Sequence, residues 1–141
     1  MKQDIKVKDV MSTRLITLHP KDSILRAKEV FAEYSIHHIP ICVMNEVRGI
    51  ISLGDILFLE GMVLNSFDQF VKDKKNQNTP IEDVMTRNPY HTASDALLST
   101  AINKMVKNRI NALPVVDNNE IVGLITTHDV LEAFNEILNN I

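Results

Sequence analysis

Gly49-Ile50-Ile51-Ser52-Leu53-Gly54-Asp55 returns as Gly123-Leu124-Ile125-Thr126-Thr127-His128-Asp129, 74 positions further along the chain (49 to 123). The same offset carries Asp9-Val10-Met11 onto Asp83-Val84-Met85, Ala27 onto Ala101, Ile36 onto Ile110, Pro40 onto Pro114, Asn45-Glu46 onto Asn119-Glu120 and Leu57 onto Leu131. No gap is needed. One register that holds Gly, Pro and Asp positions together marks an internal duplication, in which each copy is one supersecondary unit.

Each copy predicts the same run of elements. An extended segment, Leu15 to Leu18 or Pro89 to Thr92, comes first. An amphipathic helix follows, with Ile24, Ala27 and Phe31 on one face in the first copy and Leu98, Ala101 and Met105 in the second. Asp22 or Ser23 is placed to cap the first helix, and Ser94 or Asp95 the second. A hairpin of two apolar strands is expected at 39–43 and 47–53, and again at 113–116 and 121–126, around the polar turns Met44-Asn45-Glu46 and Asp117-Asn118-Asn119-Glu120. A closing helix carries Ile56, Leu59 and Val63 in one copy and Val130, Phe134, Ile137 and Leu138 in the other. Gly49 and Gly123 are read as permitting a tight hairpin backbone. The expected boundaries are repeat 1 over 1–64, a connector over 65–79 and repeat 2 over 80–141, with Lys72 to Lys75 read as a solvated loop and the polar stretch Lys72 to Asn78 as exposed. About sixty residues bury only a marginal core, so the copies are expected to be halves of one domain.

Composition bounds the function. The 141 residues carry a formal net charge of −3, with 45% apolar and 23% charged residues of mixed sign. No basic face dominates, so nucleic acid is not an expected partner. The apolar runs are too short for a membrane span, which needs about 20 residues, and the start Met1-Lys2-Gln3-Asp4 does not open a signal segment. A cytoplasmic location is expected. Cys42 is the only cysteine. It is expected to be a small buried core residue, and it rules out an internal disulfide.

Asp-Val-Met-Ser/Thr opening a repeat, Leu/Ile-Pro-Ile/Val before a hairpin and Gly-x-x-Ser/Thr-x-x-Asp closing it resemble the cystathionine-β-synthase (CBS) repeat. Two such copies resemble the tandem pair called a Bateman module. The resemblance covers Lys6 to Leu59 and Pro80 to Leu138. It implies an α/β fold of the α+β type, with two β-α-β-β-α repeats packed through their sheets about a pseudo-twofold axis. It also implies clefts that bind adenosine-containing ligands, and a homodimer.

The candidate ligand contacts follow from this pattern. Ser52 and Thr126 put a hydroxyl at a strand end, and Asp55 and Asp129 put a carboxylate three residues later at a helix start. Such a helix start favours phosphate through its free N–H groups and dipole. The hydroxyl is a further donor, and the carboxylate is an acceptor for ribose hydroxyls. The same residues also make an ordinary helix cap. Backbone at Ile16-Thr17 and Tyr90-His91 is expected to bond adenine, with Ile36, Pro40, Ile110 and Pro114 lining the slots, although core packing explains these apolar residues equally well. His37 and His38 precede the first Pro, where Asn111 and Ala112 stand in the second copy. The histidines are expected at a phosphate end, in sites that are unequal, with binding that weakens as pH rises. A metal at the His pair lacks further ligands at suitable spacing. His128 beside Asp129 is read as either a ligand contact or a surface residue.

No nucleophile–base set and no phosphate-loop motif appears, so no catalysis and no required cofactor are expected. The leading expectation is a sensor for AMP, ADP, ATP or another adenosyl compound that signals to a regulated protein. The alternative is a ligand-independent dimerisation scaffold with degenerate clefts.

Overall fold

The computed structural model describes residues 4–63 and 69–141. Its helices are α1 (Ile24–Tyr34), α2 (Leu53–Val63), α3 (Gln69–Asn78), α4 (Leu98–Asn108) and α5 (Thr127–Asn139). Its strands are β1 (His38–Val43), β2 (Glu46–Ser52), β3 (Thr86–Arg87), β4 (Ala112–Asp117) and β5 (Glu120–Thr126). Two compact units result, one from residues 16–88 and the other from residues 1–15 with 89–141. The opening segment of each repeat is therefore built into the unit that holds the body of the other repeat.

The backbone shows why. Val7 N–H donates to the Ala96 carbonyl (2.9 Å), Lys8 N–H to Ser94 (3.0 Å) and Leu98 N–H to Ile5 (2.7 Å). The copy related by 74 positions repeats each bond. Ile81 N–H donates to Asp22 (2.8 Å), Glu82 N–H to Pro20 (3.0 Å) and Ile24 N–H to Thr79 (2.9 Å). The exchange also explains the glycines, none of which has positive φ. A Cβ on Gly49 would stand 2.5 Å from Met85 Sδ and 2.8 Å from the Thr86 carbonyl oxygen. A Cβ on Gly123 would stand 2.6 Å from Met11 Sδ and 3.0 Å from the Ser12 carbonyl oxygen. The expected hairpin role for these glycines is thus corrected. They give room for the methionine and backbone of an opening segment.

Each unit has its own core. Ile24, Ala27, Val30, Phe31, Ile39, Ile41, Ile51, Ile56 and Ile81 fill one, and Val7, Leu98, Ala101, Met105, Leu113, Val115 and Ile125 fill the other. Burying each large aliphatic side chain contributes about 1.5–3 kcal/mol. Both α1 and α4 bury the apolar face expected of them. Cys42 is buried, and burial pushes its thiol up to about 11. Both hairpins are antiparallel and shift register at the same place, between Ile41 and Cys42 and between Val115 and Val116. Asn118 and Asn119 both adopt left-handed backbone in the second turn, the twist a two-residue hairpin needs.

Several expectations need correction. The extended segments are not full strands; each forms a single parallel bridge, Leu18 with Ile41 and Thr92 with Val115. Ser23 caps α1, but Leu97 precedes α4 without a side-chain cap. Ser94 instead bonds Asp117 through its N–H (3.0 Å) and hydroxyl, while the Ile5 carbonyl takes the first helical N–H of α4. The connector is helical over α3, and Asn76 is 2% exposed. Asn76 Nδ2 donates to Glu60 Oε2 at 3.4 Å, and Lys28 Nζ reaches the same oxygen at 3.0 Å. The α5 face carrying Phe134 and Leu138 leaves both side chains exposed. The side chains of Val63, Lys72 and Asp73, and the positions 65–68, lie outside the described residues.

Gly49→Ala should therefore lower the unfolding free energy by about 1–3 kcal/mol, because a backbone oxygen cannot move aside as a side chain can. Gly61→Ala, where a Cβ meets nothing within 4 Å, should raise it by about 0.5–1 kcal/mol through helix propensity. Urea titration of the two variants reads the sign of each change.

Candidate functional site

The first hairpin ends with His38 opposite Ser52. Leu53 N–H, at the start of α2, donates to the His37 carbonyl at 3.0 Å. The chain entering β1 is thereby tied to the first turn of α2. Ser52 N–H donates to Asp55 Oδ2 at 2.9 Å, and Asp55 N–H donates to Ser52 Oγ at 3.0 Å. His37, His38, Ser52 and Asp55 are thus brought together at one end of one sheet.

The other unit repeats the frame. Ala112 stands opposite Thr126, and Thr127 N–H donates to the Asn111 carbonyl at 2.9 Å. Thr126 N–H donates to Asp129 Oδ2 at 2.9 Å, and Asp129 N–H donates to Thr126 Oγ1 at 3.2 Å. Both hydroxyl–carboxylate pairs are reciprocal helix caps, which satisfy donors that a helix start leaves open. One carboxylate oxygen is used in each. The Oδ1 atoms of Asp55 and Asp129 have no hydrogen-bond partner among the described residues.

The two frames differ in what they leave available. Thr126 Oγ1 also donates to Asp129 Oδ2 at 3.1 Å. Its proton is therefore engaged, which corrects the expectation that it is free for a ligand oxygen. Ser52 makes no such bond among the described residues. Charge differs as well. A cavity of about 540 Å³ beside Asp129 is walled by Asp9, Glu132, Glu136, Ile5 and Ile137. Asp129, Glu132 and Glu136 follow one another at i, i+3 and i+7 on α5, so this acidic stripe was readable in the sequence. Asp9 was not, because it arrives by the exchange of opening segments.

His38 is half-buried. Burial holds its imidazole below the ordinary histidine range, neighbouring His37 adds to that, and Asp55 opposes it. His37 is exposed. Ile16 is half-buried against its core, Thr17 is exposed, and neither has a backbone hydrogen bond among the described residues. Tyr90 and His91 are exposed, and the His91 carbonyl already accepts from Lys104 Nζ at 2.6 Å. Ile36 and Ile110 pack against the cores, and Pro40 and Pro114 are buried. As slot linings the two prolines need correction: with their rings inside the packing, they present no open wall. Asn111 is exposed. His128 pairs with Glu132 at 2.9 Å on the surface of α5. Among the described residues, no cluster of three or more His, Cys, Asp or Glu is placed to hold a metal ion, and no helix is long and apolar enough to cross a membrane.

Comparison with known proteins accounts for both copies at once. The chain is 32% identical over 130 residues to L-aspartate semialdehyde sulfurtransferase from Methanocaldococcus jannaschii, covering 91% of this chain and 23% of that protein. It spans less than half the length of several curated relatives it matches. Among solved structures, the CBS domain pair of protein MJ0100, in complex with 5-methylthioadenosine and S-adenosyl-L-methionine, matches with a TM-score of 0.74 at 29% identity, over 93% of this chain and 96% of that one. CBSX2 in complex with AMP matches with a TM-score of 0.78 at 26% identity, over 94% and 98%. The CBS domain model matches residues 7–60 and again residues 81–136, so the chain belongs to the CBS domain family as a tandem pair.

Proposed function

We propose that this chain is a non-catalytic regulatory module that binds an adenosine-containing ligand, with AMP as the first candidate, and passes the binding event to a partner protein. The observation that carries this reading is the convergence of His37, His38, Ser52 and Asp55 at the start of α2. Asp55 Oδ1 accepts from ribose hydroxyls, Ser52 Oγ donates to a phosphate oxygen, and the two histidines offer ring N–H donors at the phosphate end. The backbone of Ile16 and Thr17 bonds the adenine edge. Support comes from relatives whose structures hold AMP, 5-methylthioadenosine and S-adenosyl-L-methionine. The frame around Thr126 and Asp129 is the weaker of the two, since its hydroxyl proton is engaged and its surroundings are acidic.

Isothermal titration with AMP, ADP, ATP and S-adenosyl-L-methionine tests this. At least one should bind saturably, and Asp55→Asn, which keeps a cap acceptor but loses the charge, should weaken it about 10- to 100-fold. Asp129→Asn should weaken it less. No binding by any of the four rejects the sensor reading. The surface role is favoured in its own right by Leu57 and Phe58 on α2 and Leu131 and Phe134 on α5, which are 55% to 71% exposed. Those faces fit a second copy of the chain, and sedimentation velocity should show a dimer that Phe58→Glu dissociates.

His38 makes two opposite pH dependences. Its folded-state pKa lies below the usual 6.5, so the unfolded chain binds more protons in the window beneath that value. Stability from this group is full above pH 6.5 and is lost as pH falls through the folded pKa. Phosphate beside the imidazole favours the charged form, so ligand affinity should rise as pH falls through the same window. Urea midpoints and AMP titrations at pH 7.5 and 5.5, each compared with His38→Gln, should show both slopes reduced in the variant.

A further inference from the structure

The unit built from residues 16–88 contains a cavity of about 310 Å³ that the Ser52–Asp55 frame does not use. His19, Lys21, Arg48, Glu82, Arg87 and Asn88 line it. Val43 also lines it, at the turn end of the hairpin, whereas Ser52 stands at the opposite end. Arg48 and Ser52 are separated by about 13 Å of strand, four residues at ~3.3 Å each.

Three permanent cations, Lys21, Arg48 and Arg87, face one carboxylate, Glu82. Glu82 is already committed. Lys21 Nζ bonds its Oε1, and the ammonium holds the carboxyl below the usual range, with Arg87 and His19 adding to the effect. Arg87 Nη2 donates to the Glu82 carbonyl oxygen at 3.0 Å, which holds its guanidinium at the wall and leaves other donors open. His19 Nδ1 accepts from Lys21 N–H at 3.0 Å. Arg48 is the residue left over where β2 slips register, since Ile41 pairs with Gly49 and Cys42 with Val47. Such a bulge re-aims a side chain, and bulges recur beside functional sites. Arg48 makes one long pair, 3.7 Å to Glu46.

The duplicated unit serves as an internal control. Positions 21 and 82 correspond to Asp95 and Lys8, which form the same ion pair with the charges reversed, at 2.9 Å. The fold therefore needs a pair here and is indifferent to its polarity. Positions 19, 48 and 87 correspond to Ala93, Val122 and Thr13. A unit with the same backbone and the same bulge does without these three polar groups, so they are not there to hold the hairpin. What they add is a one-sided positive lining in a cavity of metabolite size.

We propose that this cavity is a second binding site, specific to the 16–88 unit, for a compact phosphoryl anion held by Arg48 and Arg87. Two guanidinium forks and one ammonium match the oxygens of a phosphate dianion, and the volume admits inorganic phosphate or a small phosphate ester.

The test is isothermal titration of the full chain, at low salt and pH 7.5, with inorganic phosphate and separately with glycerol 3-phosphate. Saturable one-to-one binding of either probe is expected, and the tighter of the two distinguishes free phosphate from an ester as the source. Arg48→Gln should weaken it by about tenfold or more; so should Arg87→Gln. Arg48→Gln is decisive because, among the described residues, its side chain gives up only the long pair with Glu46. Three results would overturn the proposal: no saturable binding of either probe, equal affinity in Arg48→Gln and the unaltered chain, or loss of binding in Ser52→Ala with retention in Arg48→Gln. The last would move the phosphate to the start of α2.

Discussion

The close approach of a methionine to a glycine organises this molecule. Met85 lies over Gly49 and Met11 over Gly123, with backbone oxygens close behind. Each contact joins the opening of one repeat to the hairpin of the other. The flanking bonds, Val7 to Ala96 and Ile81 to Asp22, do the same. Neither repeat therefore completes its own core: Ile81 fills the core of the first and Val7 that of the second. Two sequences of about sixty residues, each marginal alone, become mutually dependent through segments that cost little to exchange. Because these contacts join residues far apart in sequence, their loop-closure entropy must be met before they stabilise anything.

The duplication was legible because backbone constraints survive divergence. Gly, Pro and Asp kept their register, and so did the buried faces of α1 and α4. What could not be read was the partner of each constraint. Gly49 announces that something comes close, but only the fold supplies Met85. The offset maps Ser23 onto Leu97, so the second helix was never going to have a side-chain cap at that position. Ser94 and Asp95 look like caps by type, yet Ser94 serves Asp117 and Asp95 serves Lys8. In α3 the polar composition suggested a loop, because nothing local reveals that Asn76 reaches Glu60. At the candidate site, the hydroxyl–carboxylate spacing was plain, whereas the engaged proton of Thr126 depends on a rotamer.

The two units show which features the fold demands and which it merely allows. Reciprocal capping at the helix start recurs in both, as does the bond from the helix start back to the residue entering the hairpin. An ion pair between the opening segment and the loop before the first helix also recurs, with its polarity reversed. Side chains around these shared frames have gone separate ways. His37 and His38 correspond to Asn111 and Ala112 in the second copy, and one unit carries an acidic cavity along α5 while the other carries a basic one at the turn end of its hairpin. Backbone geometry was kept by the need to pack, while charge was free to specialise.

That separation bears on how binding and response are linked. Asp55 caps α2 through one carboxylate oxygen, and on the proposed reading it offers the other to a ligand. A ligand that draws on Oδ1 polarises the same group that holds Ser52 N–H and the first turn of α2. The carbonyl of His37 is bonded to that turn as well, and His38, the adjoining residue, carries the titratable ring. On the proposed reading, occupancy at this corner acts directly on where α2 begins. A ligand biases an arrangement only by binding one form better than another, and on the proposed reading the form in question is the seating of α2, where Leu57 and Phe58 are exposed. Asp55 and the exposed Leu57 and Phe58 lie within one helical turn of each other, so on the proposed reading the signal has little distance to travel.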